Sequence, residues 1–113
     1  MSRRLFPALL LLLAACAAPE PVVPVAARVA GAELQVTLSD GQVCGFVLPE
    51  ARRGDLTAPP DCPILQSVSV YPFEPGSGLD VTIAFQGEGP LANDGAPLSV
   101  WIGTEYGSYR FRG

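Results

Sequence analysis

Three cysteines are the side chains best suited to chemistry in this chain of 113 residues, and they stand at positions 16, 44 and 62. A thiol can attack a substrate, hold a metal or form a disulfide, but the first two roles normally lean on a histidine as base or co-ligand. The chain has no His. No nucleophile and base pair can be assembled without one, so the residues point away from an enzyme and from any cofactor or metal site. The acidic residues offer no better centre, because Asp80, Glu88 and Asp94 lack the spacing of a calcium-binding loop. Gly76-Ser77-Gly78 opens no helix and does not continue as a dinucleotide fingerprint, so it reads as a turn. Arg53-Gly54-Asp55 spells a tripeptide that adhesion receptors bind, and it reads equally as turn chemistry.

Recognition has more candidates than catalysis. Trp101, Tyr106, Tyr109 and Arg110 sit at or beside a turn over residues 104–107, and aromatic and arginine side chains are the types that dominate binding hot spots. Two readings stand for them: a patch presented to a partner, or aromatic packing within a sheet that is buried on both faces. Arg110 and Arg112 read also as charges guarding an edge strand.

The elements that must position these groups are strands. Past Arg28 no window keeps apolar residues at helical spacing without a Gly or Pro, whereas period-two alternation recurs. The expected fold is all-β, a small sandwich or partly closed barrel of about six short antiparallel strands. Leu34, Val36 and Leu38 alternate with Glu33, Gln35 and Thr37 before Ser39-Asp40-Gly41 turns the chain, so Glu33 to Leu48 forms a hairpin. A three-residue loop with Gly41 in the left-handed region pairs Val36 with Cys44 and Leu34 with Phe46, which puts the large apolar groups on one face. Four more strands are expected at Ile64 to Tyr71, Leu79 to Phe85, Leu98 to Thr104 and Ser108 to Arg112.

Composition bounds the remaining classes. The apolar share of 49% beside 16% charged residues is high for one small soluble domain, so something apolar lies outside the fold. Met1 to Arg4 are short and basic, Leu5 to Ala15 are apolar and small residues lead into Cys16, which is the layout of a signal peptide over residues 1–15. A run of that length is too short to span a bilayer, which takes about 20 residues. All seven basic residues are Arg, against eleven acidic ones, and two of the arginines lie in the leader. A body of that sign repels a phosphate backbone, which excludes nucleic acid as a partner, and it repels an anionic lipid surface.

The segment Leu13-Ala14-Ala15-Cys16 resembles the lipobox of bacterial lipoproteins. The resemblance implies that Cys16 is alkylated by a diacylglyceryl group and becomes the acylated N-terminus, held to the membrane by two or three acyl chains. Ala17 follows where many inner-membrane lipoproteins carry Asp, which implies an outer-membrane protein facing the periplasm. Once Cys16 is lipidated, Cys44 and Cys62 remain as an even pair in an oxidising compartment, where they should form a disulfide. Residues 16–27 then read as the lipidated Cys and a Pro-rich tether, extended at about 3.1 Å per residue, and residues 28–113 as the domain. The competing reading has Val22, Val23 and Val25 add a first strand.

A lipid-anchored binding or structural module of the envelope follows, with an envelope protein as its expected partner. The alternative is an inhibitor of a secreted or periplasmic hydrolase such as a lysozyme. Small, acidic, disulfide-stapled β lipoproteins resemble in general form the membrane-bound lysozyme inhibitors, but the Ser-Gly-x-x-Tyr segment of those inhibitors is missing and Gly107-Ser108-Tyr109 resembles it only faintly.

Overall fold

The hairpin expected from residue alternation forms in the expected register. A computed structural model describes residues 20–73 and 85–113 of the chain. In it β2 (Glu33–Leu38) pairs with β3 (Val43–Val47) so that Val36 faces Cys44 and Leu34 faces Phe46. The Leu38 N–H donates to the Gln42 carbonyl at 2.8 Å and the Gly41 N–H to the Leu38 carbonyl at 2.9 Å, closing a three-residue loop. Gly41 has φ 92°, a region that a side chain disfavours and glycine does not.

Six further strands complete the fold: β1 (Pro24–Ala30), β4 (Gly54–Leu56), β5 (Ser67–Pro72), β6 (Gly87–Asn93), β7 (Leu98–Thr104) and β8 (Gly107–Arg112). They form one sheet in the order β3-β2-β1-β6-β8-β7-β5-β4, curled so that its buried apolar side chains share one interior. The class is all-β, as the alternation requires, with eight strands instead of six. The strand expected at Leu79 to Phe85 lies outside the described residues except for Phe85, as do the leader, Cys16, Asp80 and the Gly76-Ser77-Gly78 turn.

Three strands differ from expectation, each for a physical reason. β1 takes up residues assigned to the tether: Ala27 and Val29 are buried, and Val22 and Val23 pack against the core. The domain therefore begins near Val22 and not at Arg28, because the extended backbone that the neighbouring prolines favour also suits a strand once those side chains have a core to bury against. β4 is only three residues long and pairs antiparallel with β5. β6 reads locally as a turn, Gly87-Glu88-Gly89-Pro90, yet it runs parallel to both β8 and β1, so the sheet is mixed and not wholly antiparallel.

The glycines of β6 explain its place. A Cβ on Gly87 would stand 2.9 Å from Cδ1 of Tyr109, and one on Gly89 3.2 Å from Cδ1 of Phe111, so the rings of β8 occupy the space that side chains on β6 would fill. Pro90, which has no N–H to donate, sits where β6 leaves its pairing with β8 and takes up its pairing with β1. Gly87→Ala forces a methyl into a packed ring, and we expect it to cost about 1 to 3 kcal/mol in a denaturant melt.

The two free edges of the sheet are β3 and β4. Cys44 on β3 is bonded to Cys62, six residues beyond the end of β4, with their Cα atoms 6.2 Å apart. Gln42 adds a hydrogen bond from Nε2 to the Asp61 carbonyl at 2.7 Å. The disulfide thus ties the β3 edge to the connection between β4 and β5, and the curled sheet is a nearly closed barrel.

Candidate functional site

Neighbouring residues on a strand point to opposite faces, and this divides the four residues expected to form a recognition patch. On β8, Tyr109 and Phe111 point inward, while Arg110 and Arg112 point outward. Tyr109 is 6% exposed and belongs to the core, which removes it from any partner surface. The Gly107-Ser108-Tyr109 segment therefore offers no outward tyrosine to an enzyme cleft. Trp101 and Arg110 are brought together: they are direct partners across β7 and β8, on the outer face. Tyr106 lies apart from them in the turn and is 47% exposed.

Around Trp101 and Arg110 the outer face carries a bonded cluster. The Trp101 Nε1–H donates to Ser99 Oγ at 2.7 Å, and its ring meets Phe85 and Tyr71 edge-on, with centroids 5.3 and 6.2 Å away. The Arg110 guanidinium lies 4.4 Å from the Phe85 centroid and donates from Nη2 to Glu88 Oε1 at 2.9 Å. Arg112 stands over Phe73 at 5.1 Å and reaches Glu88 Oε2 at 3.8 Å. Arg110 is only 6% exposed although it points away from the core. Its guanidinium is engaged by Glu88 and Phe85, so these groups brace the outer face. β8 lies between β6 and β7, so Arg110 and Arg112 guard no edge.

The sequence does not place Tyr71, Phe73, Phe85 or Glu88 beside Trp101 and the two arginines, as the structure does. The signal for Trp101 with Arg110 was available, since a two-residue turn at Glu105-Tyr106 pairs Thr104 with Gly107 and hence 101 with 110. No local signal places Glu88 there, because it arrives through the parallel pairing of β6 with β8. The other weighed motifs are likewise committed to structure. Gly54 and Asp55 are paired within β4, Asp94 Oδ2 accepts the Gly31 N–H at 3.1 Å, and Glu88 is held by Arg110.

Among the described residues, a cavity of about 180 Å³ lies at the end of the barrel, lined by Pro63, Ile64, Gln66, Thr104, Glu105 and Tyr106. Thr104 builds its wall by donating from Oγ1 to the Gly107 carbonyl at 3.2 Å and accepting the Tyr106 N–H at 3.1 Å. No protein family, curated protein or solved structure matches the chain. The chemistry of this turn must therefore be taken from its own atoms. The Glu105 carboxylate accepts a hydrogen bond from the Tyr106 hydroxyl and opposes a phenolate beside it, which raises the Tyr106 pKa above the ordinary value of 10.0. The folded turn holds that proton more tightly than the unfolded chain, so its contribution is present at neutral pH and is lost in alkali as pH rises through the folded pKa. Replacing Glu105 by Gln should bring the Tyr106 titration, followed by ultraviolet difference absorbance, back toward about pH 10.

Proposed function

We propose that the protein is a lipid-anchored module of the bacterial envelope, held by acyl chains on Cys16, facing the periplasm from the outer membrane, and acting by binding or structure without chemistry of its own. The observation that carries this reading is Leu13-Ala14-Ala15-Cys16 at the end of a short basic and apolar leader. The Cys44–Cys62 bond supports export, because structural disulfides persist in oxidising compartments. The absence of His from the chain supports a non-catalytic role. With Val22 and Val23 packed on the barrel, Ala17 to Pro21 remain as the spacer, and at polyproline extension they reach only about 15 Å. The barrel would ride close to the lipid.

The test is fractionation with a fatty-acid probe. The wild type should carry the probe and float with membranes, and Cys16→Ser should lose both properties. An unlabelled mature chain that begins after Cys16 would refute the anchor.

A further inference from the structure

Among the described residues, the large apolar side chains most exposed to solvent are Val25, Val43, Val47, Tyr71 and Tyr106. Three of the five, Val25, Val43 and Tyr106, belong to one end of the barrel. It is the end at which the chain enters. The Val23 N–H donates to Ser39 Oγ at 3.0 Å and the Ser39 N–H to the Val23 carbonyl at 2.8 Å, so the residues arriving from Cys16 are fixed to the β2–β3 turn. β1, β6 and β8 are parallel and all start at this end, which brings the Glu105-Tyr106 turn to it as well. Gln42 joins the β2–β3 turn to Asp61, and the cavity between Ile64 and Tyr106 continues the same surface. Val25 stands out because the pairing register shifts between Pro24 and Ala26.

We propose that this end rests on the headgroup layer of a zwitterionic bilayer, with Val25, Val43 and Tyr106 at the lipid interface. The inference rests on the anchoring reading, and the chain outside the structure argues for it. From Cys16 the spacer reaches about 15 Å, while a strand of six or seven residues is about 20 Å long. An anchored Cys16 therefore cannot set the far end of the barrel on the lipid, and it keeps the near end within about 15 Å of the surface. Tyrosine suits that depth, where an apolar ring and a polar hydroxyl meet the boundary together. Charge selects the lipid. Glu20, Asp40, Asp61 and Glu105 lie at this end without a basic neighbour among the described residues of the end, whereas at or near the other end Arg52, Arg53 and Arg112 are balanced by Glu33, Glu50 and Asp94. An anionic surface, whose negative potential attracts basic segments, would repel such an end, and a zwitterionic one would not.

The experiment places one fluorophore on the full chain, at Gln86→Cys beside the near end or at Ala51→Cys at the far end, both exposed positions. The labelled protein is put on phosphatidylcholine vesicles whose headgroups carry a nitroxide quencher. The Gln86 label should be quenched several-fold more strongly than the Ala51 label. That difference should shrink when phosphatidylglycerol replaces part of the lipid, and also in a Tyr106→Asp background. Equal quenching of the two labels on vesicles with which the protein floats would overturn the inference while leaving the anchor intact. A chain that does not float ends the anchoring reading instead, and the same two labels read at saturating lipid then decide the contact by the same comparison.

Discussion

Cys44→Ala should lower the free energy of unfolding by about 2 to 5 kcal/mol, the range seen when a native bridge is removed from a small secreted domain. A domain of this size has only about 5 to 15 kcal/mol in total, so the loss is a large share of it. Two effects act in one direction. The bridge spans a sequence separation of 18 residues, and freeing that loop returns entropy to the unfolded chain. It also joins edge strand β3 to the connection between β4 and β5, so breaking it removes a tie on β3, whose Val43, Gly45 and Val47 are exposed on the outer side. Urea melts of the wild type with and without reductant check this. Reduced wild type and Cys44→Ala should share one midpoint, well below that of the oxidised protein. Equal midpoints for oxidised and reduced wild type would show that the bridge does not hold the barrel.

Tyr109→Ala should cost about 3 to 5 kcal/mol, as truncating a buried aromatic does, because the ring fills the interior beside Gly87 and glycine cannot grow into the void. Trp101→Ala should cost less, about 1 to 3 kcal/mol, since it removes two edge-on ring contacts and one hydrogen bond from a half-buried site. The order of the two melts is the informative quantity. A Trp101 variant that loses more than the Tyr109 variant would contradict the placement of Tyr109 inside and Trp101 outside.

The readable parts of the fold were those in which local pattern and burial agree. Leu34, Val36 and Leu38 alternate with polar neighbours, and the single choice of loop length that keeps Phe46 on their side is the one adopted. β7 was read to the residue because its strand pattern stops at Pro97 and resumes as a turn at Glu105. β6 was invisible for the opposite reason. Gly87, Gly89 and Pro90 are poor strand formers taken alone, and they are tolerated because Tyr109 and Phe111 need the room. β1 was hidden by prolines, whose local preference is extended but says nothing of a partner strand. The recognition patch failed on parity: Tyr109 and Arg110 are adjacent on one strand and cannot share a face. That much was in the sequence. The company of Trp101 and Arg110 with Glu88 was not, since it depends on a parallel pairing between residues 22 apart in the chain.

The central proposal, that Cys16 anchors this barrel, is tested most directly by the intact mass of the mature protein recovered from membranes. The expected species begins at Cys16 and carries the added mass of a diacylglyceryl group, with a further acyl chain where the amine is modified. A mature chain that begins at or after Cys16 with no added lipid mass would contradict it.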